Sequence, residues 1–362
     1  VPFQLSSSSV PRTCTRPGDT VRACTFQFAT DVALGDRGSD RVNADPLTSI
    51  GPFDGIQQVA ATRGINNVTS GSTADDAALA DLVVVVVGYT PGDEGEEYAV
   101  LSGGDRSSLA LPPEQEQLVD DVLALNKPTV VVVESGSVVN VPWLSHANRN
   151  QATIWAGYGG MRAGTAFGKL LFGDANFGGK LPMAWPAESA LPAFASNDPN
   201  TSRASVSMDY FFGYREYDRR VSQGQTVDLV FPFGHGLSYT TFAYSDFQVP
   251  CTHVSANDVL DVTATITNTG TKSGDEVAFL FVEGPTPSGE PRSVKELKSF
   301  ARVSLAAGDS GRVHLPVRTR DLWHFSVARQ SWVIDPGEYR VLVGKSAADA
   351  DLQLAGTFSI GN

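Results

Sequence analysis

The feature that most constrains the fold is an unbroken apolar run, Leu82 to Val87. A strand with no polar position must be covered on both faces, which is typical of a parallel sheet between helices. Other short runs rich in β-branched residues occur at Phe26 to Ala33, Thr129 to Val133 and Thr153 to Trp155. Amphipathic segments at Pro113 to Leu125 and Met161 to Phe172 are predicted helices. This alternation predicts an α/β sandwich, with a mostly parallel sheet and helices on both faces.

The loop that follows Leu82 to Val87 is long and acidic. It carries Tyr89 and Tyr98, the carboxylates Glu94, Glu96 and Glu97, and a second polar cluster at Asp105 and Arg106. Connections between a strand and a helix usually have about 2–6 residues, and longer ordered ones are often functional. Ligands of open α/β sheets bind at the carboxyl ends of the strands, so we expect the chemistry in this loop.

The residue composition and the periodicity of the sequence change after the first half of the chain. Residues 186–246 are rich in proline, serine and aromatic residues without periodicity, and from 247 onward alternating strands are separated by turn signals. We therefore predict an N-terminal extension at 1–24, the α/β domain at 25–185, an extended connector at 186–246 and an all-β sandwich at 247–362. A chain of 362 residues is long enough for two such domains.

Composition excludes some partners. The net charge of −13 argues against nucleic acid and anionic membrane surfaces, because both require a basic footprint. No run of about 18 apolar residues is present, so no transmembrane helix is expected. No histidine pair has metal-ligand spacing. These observations favour a neutral or cationic small substrate.

The cysteines give a hint of compartment. Cys14 and Cys24 flank the turn signal Pro17 to Asp19 and could close a hairpin with a disulfide, or remain unpaired thiols. A disulfide would imply an oxidising compartment, and we expect a secreted or periplasmic protein. The first residues contain no signal-peptide pattern, so any signal peptide is expected to have been removed or never to have been present.

A series of different short motifs extends along nearly the whole chain. They are Leu34–Ser39, Pro52–Ile56, Glu94-Gly95 with Gly104–Arg106, Leu171–Asn176, Gly179–Pro182, Phe231–Thr240, Thr267–Gly270 with Gly274–Val277, and Leu297–Phe300. In this order they resemble the C-terminal portion of glycoside hydrolase family 3, the β-glucosidase and β-xylosidase group. The resemblance implies that the all-β sandwich is the fibronectin type III-like domain of many members.

The resemblance also implies roles for the acidic loop. Family members are mostly retaining enzymes that use an aspartate nucleophile from a TIM barrel and a glutamate acid/base from the second domain. The spacing in sequence between Glu94 and Gly104–Arg106 places Glu94 at the acid/base position, with Glu96 and Glu97 as alternatives. Asp105 and Arg106 are expected to form an ion pair that shapes the loop. Tyr89 and Tyr98 could stack on sugar or pack within the loop. Neighbouring carboxylates favour a raised pKa on one of them, which suits an acid catalyst.

The implied function is the acid/base half of a retaining exo-β-glycosidase acting on terminal β-linked sugars. No cofactor is expected, because two carboxylates suffice. A TIM barrel needs about 250 residues, and no segment of this chain matches it. The alternatives are a split or cleaved enzyme with a barrel partner chain, which is favoured, a member cut or permuted before its barrel, or a non-catalytic carbohydrate-binding or assembly protein.

Overall fold

The computed structural model describes residues 9–14, 22–27, 49–89, 108–145, 150–191, 210–251, 253–255, 257–285 and 290–361. The chain divides into two compact units. Unit 1 comprises Val1–Ala175 with Ala195–Ser205, and unit 2 comprises Asn176–Phe194 with Val206–Asn362.

Unit 1 alternates strands and helices. Its strands are β1 (Ser9–Cys14), β2 (Arg22–Gln27), β3 (Val83–Gly88), β4 (Thr129–Glu134) and β5 (Gln151–Trp155). Its helices are α1 (Pro52–Ala61), α2 (Ala74–Ala78), α3 (Pro113–Ala124) and α4 (Ala163–Leu171). Most of the predicted strand at 26–33 lies outside the described residues.

The strands β3, β4 and β5 form the predicted parallel sheet, with β4 in the centre. Helix α4 packs on it, since Ala163 and Phe167 share a buried cluster with Val132 of β4. Helix α3 begins at Pro113 and buries Val119, Val122 and Leu123, as its amphipathic pattern predicts. These features confirm the α/β fold.

Helices α1 and α4 approach each other closely through glycines. A Cβ atom on Gly164 would lie 1.8 Å from the carbonyl oxygen of Gly51, and one on Gly55 would lie 1.9 Å from Gly164. The Gly164 amide donates to the carbonyl of Ile50 at 2.9 Å. Glycine is required here because any side chain would separate the two helices.

The N-terminal hairpin is formed by β1 and β2. Its antiparallel register places Cys14 opposite Arg22 and Arg12 opposite Cys24. The two antiparallel strands agree with the predicted hairpin, whose turn at Pro17 to Asp19 lies outside the described residues, and the disulfide between its cysteines stays a prediction.

Unit 2 is mostly β-structure. Its strands are β6 (Trp185–Pro186), β7 (Leu229–Phe231), β8 (Phe242–Gln248), β9 (His253–Val254), β10 (Val259–Asn268), β11 (Gly274–Glu283), β12 (Glu296–Leu305), β13 (Ser310–Arg318), β14 (His324–Ser326), β15 (Ser331–Val333), β16 (Gly337–Gly344) and β17 (Leu352–Ile360). Its helix is α5 (Tyr214–Ser222).

Two sheets form the sandwich of unit 2. One has the order β13-β10-β8 and the other β12-β11-β16-β17-β9. Alternate residues of β10, among them Leu260, Val262 and Ile266, share one buried cluster with Leu280 of β11 and Val341 of β16. The period-two pattern of these strands thus confirms the predicted sandwich.

Helix α5 differs from the extended conformation predicted for this segment. Its sequence is largely charged, and its buried residues are Glu216 and Tyr217, so it lacks a continuous apolar stripe. Glu216 accepts from Arg219 one turn later, at 2.8 Å from the Nε atom, which supports the helix locally. Arg220 also donates to the carbonyl of Ala190 at 2.8 Å. Tertiary contacts, rather than periodicity, stabilise this helix.

Candidate active site

The carboxyl edge of the parallel sheet is formed by the ends of three neighbouring strands. Gly88 at the end of β3 pairs with Glu134 at the end of β4, and Val133 pairs with Trp155 at the end of β5. Because parallel strands direct their carboxyl ends to one edge, the segments that follow them converge there.

The two ends of the acidic loop are held together at this edge. Tyr89 is 2% exposed, and its hydroxyl donates to the carbonyl oxygen of Ala110 at 2.6 Å. Its amide donates to the carbonyl oxygen of Glu134 at 3.0 Å. The loop therefore leaves and re-enters the fold at the carboxyl edge.

Helix α3 clamps the end of β3. The amide of Gly88 donates to Oε1 of Gln115 at 2.7 Å, and Nε2 of Gln115 donates back to the carbonyl of Gly88 at 2.9 Å. A Cβ atom on Gly88 would lie 2.0 Å from the carbonyl oxygen of Glu134, so only glycine fits. Glu116 accepts from the amide of Leu111 at 3.2 Å and fixes the returning end of the loop.

The central strand ends in a buried polar pair that the sequence analysis did not identify. Glu134 and Ser135 are both 0% exposed. The indole nitrogen of Trp155 donates to the carbonyl oxygen and Oγ of Ser135, both at 3.1 Å. Ser135 in turn donates to the carbonyl of Ser137 at 2.7 Å. The available signal was a carboxylate directly after four valines, at the strand end where ligands bind.

Most residues predicted for the site lie outside the described residues: Glu94, Glu96, Glu97, Tyr98, Asp105 and Arg106. Their roles stay predictions. Tyr89 is described, and its buried ring and bonded hydroxyl favour packing over the stacking on sugar considered for it. The described residues thus establish the base of the loop and its position on the sheet.

Motifs from unit 2 contact one another and form a structural network. Leu181 donates to the carbonyl of His235 at 2.8 Å, and Gly234 donates to that of Leu181 at 2.9 Å. Oδ1 of Asn176 accepts from the hydroxyl of Ser238 at 3.0 Å and the amide of Tyr239 at 2.9 Å. The segments 176–182 and 231–240 therefore hold each other in place.

A buried ion pair attaches this network to the sandwich. Nζ of Lys180 lies 3.2 Å from Oε1 of Glu276, and both side chains are buried. The hydroxyl of Tyr244 donates to the same carboxylate at 2.7 Å. Burial, and then the Glu276 charge, raise the pKa of Tyr244, which keeps it a neutral donor.

His235 is a packed residue of the same network. Its ring stacks on Phe231 with centroids 4.5 Å apart. Burial, followed by the charge of Lys180, lowers the pKa of His235 and favours the neutral ring. This geometry agrees with a structural role at the turn.

Within the described ranges, no three His, Cys, Asp or Glu side chains are grouped as a metal site. Over the same residues, none of the helices combines the length and the apolar character needed to cross a bilayer.

The fold and its motifs define a class: an α/β domain with an acidic loop at its carboxyl edge, together with a fibronectin type III-like sandwich. A family model described as the glycosyl hydrolase family 3 C-terminal domain matches residues 25–239, more than half of the chain. A fibronectin type III-like domain model matches residues 276–347. The chain belongs to glycosyl hydrolase family 3.

Similar proteins agree with this assignment. A probable β-glucosidase I of Aspergillus terreus is 36% identical over 286 residues, covering 76% of this chain and 32% of that protein. The thermostable β-glucosidase B of Acetivibrio thermocellus is 31% identical, covering 80% of this chain and 37% of that protein. The chain thus spans about a third of the length of these curated relatives.

Solved structures show the same relation. A β-glucosidase of Chaetomella raphigera superposes with a TM-score of 0.76 at 29% identity, over 93% of this chain and 48% of that one. The β-glucosidase of Kluyveromyces marxianus in complex with glucose gives 0.66 at 34% identity, over 80% of this chain and 33% of that one.

Proposed function

We propose that this chain supplies the general acid/base carboxylate, Glu94, of a retaining exo-β-glycosidase of the β-glucosidase type. The observation that carries the proposal is the position of the acidic loop: both its ends are joined at the carboxyl edge of the sheet through Tyr89 and Ala110. Relatives named as β-glucosidases support the reaction class.

The reaction requires two carboxyl groups about 5–5.5 Å apart. One attacks the anomeric carbon, while the other protonates the leaving oxygen and then activates water for hydrolysis of the glycosyl-enzyme. In this proposal Glu94 performs the proton transfers. An aspartate on a TIM barrel outside these residues, in the same protein or in a partner chain, is the nucleophile.

The substrate in this proposal is a β-glycoside or oligosaccharide with a terminal β-linked sugar. A neutral sugar is compatible with a chain of net charge −13. The proposal includes a secreted or periplasmic location. This part rests on the predicted pairing of Cys14 with Cys24 in the β1–β2 hairpin.

The test is Glu94→Gln in the protein together with its barrel. We expect kcat on an alkyl β-glucoside to fall by about 10²–10⁴, because the leaving oxygen no longer receives a proton. A dinitrophenyl glucoside, whose leaving group needs no proton, should retain more of its glycosylation rate. Azide should restore turnover of Glu94→Ala by replacing the activated water.

Glu96→Gln and Glu97→Gln are the matched controls, and both should stay near the wild-type rate. A wild-type rate for Glu94→Gln, or a large loss in either control alone, contradicts the assignment of Glu94. Absence of hydrolysis by the wild-type chain with its barrel would instead favour the non-catalytic carbohydrate-binding alternative.

A further inference from the structure

An exposed aromatic surface lies on unit 2, on residues 323–333, which we name the aromatic hairpin. Trp323, Phe325 and Trp332 are 38%, 46% and 63% exposed. Phe325 of β14 pairs directly with Trp332 of β15, and their ring centroids are 5.9 Å apart. Trp323 directly precedes β14 with an extended backbone (φ −67°, ψ 147°), so we expect its side chain on the same side as Phe325. One face of a two-stranded sheet is therefore aromatic and open to solvent.

The opposite face of the hairpin is fixed by a carboxylate. Glu290 accepts from the hydroxyl of Ser326 at 2.9 Å and from the amide of Ala328 at 3.2 Å, and it lies 3.3 Å from Nε2 of His324. The other ring nitrogen of His324 lies 3.6 Å from Oδ2 of Asp335. Since an isolated two-stranded hairpin is only marginally stable, these contacts hold the aromatic face in place.

The turn of the hairpin is also ordered by its own side chains. Oγ of Ser326 accepts from the amide of Arg329 at 3.1 Å, and Nε2 of Gln330 donates to the carbonyl of Val327 at 2.8 Å. A surface fixed before binding loses little conformational entropy when a ligand arrives. The hairpin is thus suited to recognition.

The aromatic face is not needed to complete the core. The buried cluster of the sandwich is built from Leu260, Leu280 and Val341 with their neighbours and contains none of the three aromatic residues. Single exposed apolar side chains are common on protein surfaces. A contiguous aromatic group indicates a binding surface, and tryptophan is prominent at such sites.

The chemistry of the face favours a neutral carbohydrate chain. Pyranose rings present C–H groups on their faces, which pack against aromatic π-faces, and hydroxyls around their edges. Arg329 and Gln330 are exposed in the turn of the same hairpin, and their polar side chains are of the kind that bind such hydroxyls. The net charge of −13 disfavours anionic polymers.

We propose that the aromatic hairpin is a binding site for a β-linked glucan chain, separate from the site of hydrolysis. The choice of a glucan rests on the proposed β-glucosidase function. The hairpin anchors a polymeric or oligomeric substrate through Trp332, Phe325 and Trp323, and it takes no part in bond cleavage.

The test is glucan binding by the chain without hydrolysis. Titration with cellohexaose and with laminarihexaose, followed by tryptophan fluorescence and calorimetry, distinguishes β-1,4 from β-1,3 chains, and depletion on swollen cellulose measures polymer binding. We expect Trp332→Ala with Phe325→Ala to weaken binding by about tenfold or more. Trp332→Phe keeps an aromatic face and should restore most of the affinity.

Phe300→Ala is the matched control, because Phe300 is 66% exposed on β12 of the same unit. It should bind glucan like the wild type. Unchanged binding by the double variant, absence of binding by the wild type, or dimerisation that is lost in Trp332→Ala without any glucan binding would each overturn the proposal.

Failure of this proposal is separable from failure of the proposed function. Glu94→Gln should bind cellohexaose at the hairpin as the wild type does. A strong effect of Glu94→Gln on turnover combined with no glucan binding would overturn the hairpin site alone.

Discussion

The two units use their charged residues in opposite ways. In unit 1 the acidic residues follow β3 into a loop whose ends are joined at the carboxyl edge of the sheet. In unit 2 two lysines are buried and paired with carboxylates: Lys180 lies 3.2 Å from Glu276, and Lys295 lies 2.9 Å from Asp218. The carboxylates of the acidic loop are proposed to take part in chemistry, whereas Glu276 and Asp218 are paired with lysines inside unit 2.

The burial of Asp218 and its pairing with Lys295 both affect its pKa. Burial raises the pKa of Asp218, while the Lys295 ammonium opposes that shift. Desolvation costs offset much of the attraction in buried ion pairs, so such pairs specify geometry more than they add stability. Removing one partner is costly, because the other charge is left buried.

The first prediction concerns the loss of one partner from the buried pair of Lys180 and Glu276 in unit 2. Lys180→Met leaves Glu276 buried with Tyr244 as its described donor, and we expect the free energy of unfolding to fall by about 3–5 kcal/mol. Chemical denaturation of the chain, followed through the transition of unit 2, measures the loss.

An exposed pair provides the control. Nζ of Lys345 lies 3.2 Å from Oδ1 of Asp351, the same distance as in the buried pair, but the Lys345 side chain is 56% exposed. Lys345→Met should cost about 0–1 kcal/mol. Equal losses of unfolding free energy in Lys180→Met and Lys345→Met would show that burial does not determine the cost of breaking an ion pair.

The second prediction concerns unit 1, where polar contacts position a loop. Gln115→Leu removes both hydrogen bonds to the backbone of Gly88 and leaves that amide and carbonyl without their side-chain partner. We expect a loss of about 1–3 kcal/mol in the free energy of unfolding. Hydrogen exchange at the Gly88 amide should accelerate, and turnover should fall with the barrel present.

Gln117 serves as the control on the same helix. Its side chain donates to Oδ1 of Asp121 at 2.8 Å on the exposed face of α3. Gln117→Leu should change stability by about 0.5 kcal/mol or less. If the two variants behave alike, the clamp on Gly88 does not position the loop.

Much of this architecture was predictable from sequence. The strand predicted at Leu82 to Val87 occupies Val83–Gly88, and the helix predicted from Pro113 begins there. Both depend on local apolar patterning. The sandwich strand β10 follows its alternating pattern for the same reason.

Other features depended on contacts between distant residues. Helix α5 has no apolar stripe and is held by contacts such as that of Arg220 with Ala190, thirty positions away. The clamp of Gln115 on Gly88 spans 27 positions and has no sequence signature. Glu134 was missed because a single polar residue after an apolar run predicts only the end of a strand.

The smallest expected effect concerns acid stability at the aromatic hairpin. The amide of Ala328, and then the hydroxyl of Ser326, hold the pKa of Glu290 below its ordinary value of 4.5. A carboxyl group with a lowered pKa in the folded state stabilises the fold above its unfolded pKa. That contribution is lost as the pH falls from 4.5 through the lowered value.

Glu290→Gln removes this titration, so its free energy of unfolding should fall less steeply than that of the wild type below pH 4.5. At neutral pH the variant should be slightly less stable, because an amide accepts more weakly than a carboxylate from Ala328 and Ser326. Glu338→Gln, at an exposed position of β16, should follow the wild-type curve. Identical dependence of the unfolding free energy on pH for Glu290→Gln and the wild type would show that the Glu290 charge does not anchor the hairpin. The comparison of paired carboxylates in unit 2 with the loop carboxylates of unit 1 would then not include Glu290.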